Sequence, residues 1–132
     1  MFELHPQLQQ DCIVLDKLEL CHLLLMNDAS YPWFILVPDR ADISEIFQLS
    51  EADQQLLMVE SSRLGQFLVE HFNADKLNIA ALGNVVPQLH LHHIVRYEQD
   101  PSWPKPVWGQ HPAQSYTPGR VDEIKDVMSS FK

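Results

Sequence analysis

Apolar positions in this chain follow two rhythms, and the change between them maps the elements. Cys12–Leu15 and Leu18–Met26 are nearly continuous apolar runs broken by Asp16–Lys17, the pattern of two strands joined by a hairpin. Asn27 to Pro32 is a loop by composition. Trp33–Val37 is a short, wholly apolar strand ended by Pro38–Asp39. The spacing then becomes helical. Leu57, Leu64, Phe67, Leu68 and Phe72 share one stripe, and Ser50 stands where an N-cap belongs, with Asp53 three residues on. This predicts a long helix from Glu51 to about Phe72. Its other face, carrying Asp53, Gln54, Glu60, Arg63 and Glu70, is expected in solvent. Gly65 inside it costs about 1 kcal/mol relative to alanine.

Leu77–Leu82 and Gln88–Tyr97 read as two further strands joined by Gly83–Pro87. A proline-rich loop, 100–118, carries Trp103 and Trp108, residues that a flexible linker rarely contains. Val121, Ile124, Met128 and Phe131 have helical spacing, so a short amphipathic helix is expected over about 120–131. Strands, one long helix, strands, a loop and a closing helix point to an α+β class with a mostly antiparallel sheet. At 132 residues, the whole of 1–132 is expected to form a single domain.

Composition narrows the partners. Eighteen acidic against nine basic residues give a formal charge of −9. Nucleic acids and anionic membranes both require a basic footprint, so neither is expected as a main partner. A single phosphate held locally by backbone amides remains compatible with this charge. No apolar run approaches the length of a bilayer crossing, and MFELHPQLQQD has no secretory pattern, so a cytoplasmic location is expected. Cys12 and Cys21 lie in apolar stretches and are expected as reduced, buried residues.

The chemistry concentrates in VPQLHLHHIVR, Val86 to Arg96. Period-2 geometry puts Gln88, His90, His92 and Ile94 on one strand face, and Leu89, Leu91, His93 and Val95 on the other. The leucine-rich face is the natural core side, which directs Gln88, His90 and His92 together towards a cleft or solvent. Three readings fit that spacing. The histidines can be inert. His90 and His92 can supply two imidazoles to zinc, with no third ligand at an informative spacing. Or one imidazole can attack phosphorus while its neighbour donates to phosphate oxygens.

The same stretch resembles the signature of the histidine-triad (HIT) family, His-x-His-x-His followed by apolar residues and often an arginine. Other segments agree in order along nearly the whole chain. NDASYPWFILVPDR resembles the family's segment before its long helix. Asn78 in LNIAALGNVVP stands where the family has an asparagine on the preceding strand. Trp103–Pro104 resembles the aromatic found after the triad in the nucleotide-binding branch. With its RYxxDPxWPxPVWG tail, the chain looks most like small bacterial HIT proteins.

The resemblance implies an antiparallel sheet with a long helix, a homodimer and no cofactor or metal. It implies a purine nucleotide or dinucleoside polyphosphate as ligand. Family enzymes are hydrolases or transferases that act on the α-phosphate of dinucleoside polyphosphates or nucleoside phosphoramidates through a nucleotidyl-histidine. Position by position, His90 falls on the nucleophile and His92 on the third triad histidine. Asn27 or Asp28 falls on a ribose ligand, and Gly83 and Asn84 lie where backbone and amide groups approach phosphate. Trp103 matches the tail aromatic. Three positions depart from the family. Gln88 replaces the first triad histidine, Trp33 replaces a further histidine, and Val85 stands where many members carry Ser or Thr. The resemblance therefore leaves two expectations: a hydrolase with thinned acid–base surroundings, or a purine-nucleotide binder with little catalysis.

Overall fold

All six residues of Trp33–Pro38 are buried, because this strand lies in the middle of a five-stranded sheet covered on both faces. The computed structural model describes residues 1–131. The strands are β1 (Cys12–Lys17), β2 (Cys21–Met26), β3 (Trp33–Pro38), β4 (Lys76–Ala80) and β5 (Leu91–Arg96). Their order is β1-β2-β3-β5-β4, with every pair antiparallel. The helices are α1 (Pro6–Asp11), α2 (Glu51–Phe72) and α3 (Pro118–Met128). The expected α+β class with an antiparallel sheet is therefore observed. No helix among the described residues is long and apolar enough to cross a membrane.

Side chains alternate between two cores. On one face Leu23, Leu25, Phe34, Leu36, Leu91 and Val95 meet Leu57, Leu64 and Leu68 of α2 and Ile124 and Met128 of α3. Each leucine so buried contributes roughly 1.5–3 kcal/mol. On the other face Leu24, Trp33, Ile35, Val37 and Ile94 meet Leu8 of α1 together with Val86 and Val107. That second layer is made of loop and N-terminal chain rather than long helix, and it contains the histidine site.

The caps account for the helix boundaries. Ser50 Oγ accepts from Asp53 N at 3.1 Å to start α2, and Asn73 in the left-handed region ends it. Gly65 has a packing reason to be glycine: a Cβ there would lie 2.8 Å from the Leu77 side chain, where α2 crosses β4. Thr117 Oγ1 caps α3, and Pro118 occupies its first turn. This helix ends at Met128, short of the expected Phe131, because the Ser129 and Ser130 hydroxyls bond back to the Asp126 and Val127 carbonyls. Phe131 still turns into the core.

Four local expectations are corrected. Asp16 and Lys17 belong to β1, which carries a bulge between Val14 and Asp16, and the turn falls at 18–20. Glu60 is buried rather than solvated; its carboxylate accepts from Leu20 N (2.8 Å) and Cys21 N (3.0 Å) and fastens that turn to α2. Strand β4 spans Lys76–Ala80 and β5 begins at Leu91, so Gln88–His90 are not in the sheet. Pro87 offers no N–H there, and the Gln88 amide bonds elsewhere. Helix α1 lies in a stretch read without an element. It is capped by His5, whose Nδ1 accepts from Gln7 N at 3.0 Å, with Pro6 as its first residue.

Candidate active site

Hydrogen bonding fixes the protonation pattern of the histidine cluster. His90 Nδ1 lies 2.7 Å from the Gln88 carbonyl oxygen. A carbonyl only accepts, so Nδ1 carries the proton and Nε2 of the neutral ring keeps its lone pair. His92 is held the opposite way. The indole Nε1–H of Trp33 donates to His92 Nδ1 at 3.0 Å. Indole only donates, so the proton of neutral His92 sits on Nε2. The two rings meet edge to face, with centroids 4.8 Å apart. One nitrogen that can attack thus lies beside one N–H that can donate.

Both rings are largely enclosed. The rings of Trp108 and Trp33 stand 5.1 and 5.7 Å from that of His92 and cross each other at right angles. Burial, reinforced by the neighbouring His90 and His93, lowers His92 to about 3, so it is neutral at physiological pH. His93 faces the other core. Its Nδ1–H donates to Leu91 O at 3.1 Å and its Nε2 accepts from the Ser61 hydroxyl of α2 at 2.7 Å. Burial lowers it to about 4, against the smaller opposing effect of the Leu91 bond.

A cleft of about 410 Å³ is walled by Trp33 and Trp108, the two rings that pack on His92, and floored by Met26, Asn27 and Asp28; His90 and His92 themselves do not line it. Asp28 Oδ1 accepts from Ser30 N (3.0 Å) and Gln114 N (3.3 Å), and Asn27 Oδ1 accepts from Tyr116 N (2.8 Å). Both residues therefore tie the chain after the tryptophan loop to the cleft floor.

The remaining candidates stand apart from this cleft. The Gln88 amide accepts from His5 N (2.9 Å) and donates to Glu3 O (2.8 Å), which fastens the N-terminal chain. Only its main-chain oxygen reaches His90. Asn78 is opposite Ile94 in the sheet, and its Oδ1 accepts from Arg96 Nη1 at 2.8 Å. Gly83 has φ +73°, and Asn84 and Val85 are exposed on the loop between β4 and β5. Trp103 lies 5.6 Å from the Arg96 guanidinium, which Tyr31 faces at 5.7 Å. Arg96 also pairs with Asp100 at 2.8 Å, the structural ion pair that roots the loop. Trp108, rather than Trp103, is the loop tryptophan that reaches the histidines. The Trp-Pro resemblance singles out Trp103 instead, and the fold reverses that expectation. Val107 and the N-terminal segment around Asp11, which also border the cleft, carried no signal of their own. Among the described residues, no three His, Cys, Asp or Glu side chains converge in a metal-binding arrangement.

Comparison with known proteins agrees with this fold. A search of curated proteins returns no significant match. A histidine triad protein of Marinobacter aquaeolei VT8 superimposes with a TM-score of 0.98 at 50% identity, covering 99% of this chain and 96% of that one. A histidine triad protein of Bradyrhizobium japonicum gives 0.96 at 43% identity, covering 98% and 96%. One from Sinorhizobium meliloti 1021 gives 0.96 at 42% identity, covering 99% and 97%. The family model for the HIT domain matches residues 7–99, most of the chain and all five strands, and the protein belongs to that family.

Proposed function

We propose that this protein is a nucleotide hydrolase or transferase in which His90 Nε2 attacks the α-phosphate of a dinucleoside polyphosphate or a nucleoside phosphoramidate. The observation that carries the reading is the paired tautomer. The Gln88 carbonyl leaves His90 Nε2 unprotonated, and the Trp33 indole leaves the proton of the adjacent His92 ring on Nε2. A neutral imidazole is an effective nucleophile at neutral pH. The second ring supplies a fixed donor for charge on the non-bridging oxygens. The cleft bounded by Trp33, Trp108, Asn27 and Asp28 suits a nucleoside, with stacking walls and an acidic floor for ribose hydroxyls. Asp28 uses Oδ1 for its backbone bonds, so Oδ2 is the oxygen offered to a ligand. On this reading Gln88 is the first position of a Gln-x-His-x-His triad and acts through its main chain.

The test is covalent trapping. Protein mixed with a dinucleoside polyphosphate labelled at the α-phosphate and quenched in denaturant should carry label on His90, and His90→Ala should carry none. Unimpaired turnover by His90→Ala would overturn the reading. A second reading, a purine-nucleotide-binding protein with little catalysis, is favoured by one observation: the Gln88 side chain is occupied by the N-terminal backbone. Calorimetric binding of AMP without turnover of either substrate class would select it.

Three coarser features complete the proposal. The chain acts as one domain. It works in the cytoplasm, in keeping with two unpaired cysteines. It forms a homodimer through β4, an edge strand whose neighbourhood exposes Val69, Ile79 and Leu82. Light scattering should report twice the chain mass, and Ile79→Lys should halve it; an unchanged mass in that variant would remove β4 from the interface.

A further inference from the structure

A nucleophile is half of a displacement; the other half is the group that leaves. Around His90 and His92 the hydrogen-bonded polar groups accept or donate in a fixed sense. The His90 Nδ1–H is bonded to the Gln88 carbonyl. The Gln88 amide is bonded to Glu3 O and His5 N. Val85 has no hydroxyl. The Ser61 hydroxyl serves His93 across the sheet, and the Ser102 hydroxyl lies with Tyr31 and Arg96. Of the titratable groups bordering the cleft, Asp11 accepts from the Gln7 amide and Asp28 from two backbone N–H groups. His111 donates Nε2–H to Pro101 O. The imidazole packed against His90 is that of His92, and Trp33 governs it. An imidazolium needs protons on both nitrogens, yet Nδ1 of His92 accepts the indole N–H. Protonation would set two N–H groups against each other inside a buried aromatic cluster.

We propose that Trp33 is a positioning residue that holds His92 as a neutral Nε2–H donor, so that the site cleaves bonds whose leaving group departs without a proton, phosphate-type anions in preference to amines or alkoxides. This rests on the proposed attack by His90. The step balances as written. The His90 Nε2 lone pair forms the N–P bond, the bond from α-phosphorus to the bridging oxygen breaks, and its electron pair leaves on the departing phosphate. The ring becomes a cation that keeps its Nδ1–H on the Gln88 carbonyl. Water then attacks phosphorus, the N–P bond breaks, the pair returns to Nε2, and the water proton goes to solvent. At no point does the protein supply a proton. A departing phosphate with a pKa of about 6 tolerates this, whereas an amine with a conjugate-acid pKa of about 10 does not. A missing general acid costs about 10²–10⁴-fold.

Two measurements test it. The first needs no turnover: ring-nitrogen NMR of the wild-type protein should show His92 with Nδ1 unprotonated and Nε2 protonated from pH 5 to 8. Trp33→Phe, where folded, should mix the tautomers. A wild-type spectrum with a proton on His92 Nδ1 at pH 7 overturns the role of Trp33. The second compares kcat/KM for AMP linked to a phosphate leaving group and to an alkylamine of similar size. The phosphate should win by about 10²-fold or more, and Trp33→His should narrow that ratio by about tenfold. Equal rates in the wild type overturn the leaving-group selection while His90 labelling still supports the proposed enzyme. Absence of both turnover and label removes the enzyme reading and the selection together, and the ring spectrum still decides the role of Trp33.

Discussion

His92 and His93 are sequence neighbours on opposite faces of one strand, and the protein treats them in opposite ways. On the α2 side both ring nitrogens of His93 are satisfied by the protein, one by Leu91 O and one by the Ser61 hydroxyl. On the Trp33 side the protein bonds one nitrogen each of His90 and His92, through Nδ1 in both rings. Burial does not separate the two kinds, since all three rings are largely enclosed. What separates them is the number of nitrogens the protein itself uses. A fully bonded ring contributes to stability, and a half-bonded ring beside a cleft is available for chemistry.

The contrast can be broken by substitution. The largest effect is expected at His90: alanine there should lower nucleotidyl transfer by at least about 10³-fold, with the urea unfolding midpoint little changed. His93→Ala should do the reverse. It removes a packed ring and strands the Ser61 hydroxyl, which together cost about 3 kcal/mol in urea unfolding, while the folded fraction keeps its labelling at His90. If His93→Ala instead abolished labelling without loss of stability, the division between faces would fail.

Acid should sharpen the same comparison. His92 and His93 titrate in the folded state at about 3 and about 4, below the ordinary value of 6.5. Between those limits the unfolded chain binds protons that the folded chain does not. Stability is therefore highest above pH 6.5 and falls as the pH drops, by up to about 1.4 kcal/mol per pH unit for each ring, levelling off below the folded values. Urea midpoints between pH 7 and 4 should show this slope, and His93→Gln should reduce it. A flat profile in the wild-type protein would refute neutral burial. The smallest effect is expected at Ser61. Alanine there leaves His93 Nε2 without its donor and should cost about 1 kcal/mol, with no change in labelling.

Much of this arrangement was legible in the sequence because it depends on local rhythm. Leucine spacing and Ser50 marked α2, and alternation in β5 separated His93 from His92. What was not legible depends on partners distant along the chain. Glu60 looked like one more charge on a solvated face, because nothing nearby shows that the Leu20 and Cys21 amides will meet it. Gln88 continued the alternation of the strand, yet its amide pairs with backbone 83 and 85 positions away and lies outside the sheet. Helix α1 has Leu8 as its single buried residue, too little apolar repetition to show a period. The Trp-Pro resemblance favours Trp103; only the fold of the loop sends Trp103 to Arg96 and Trp108 to His92.

The paired tryptophans at the cleft have an optical consequence. The chain has three tryptophans, and two of them, Trp33 and Trp108, wall the same cavity with their rings 5.7 Å apart. Two of the three tryptophans therefore report on the cleft proposed above for the nucleotide. A nucleotide entering the cleft should quench their emission, so occupancy can be followed in unlabelled protein. Trp108→Phe would then assign the signal to one wall or the other.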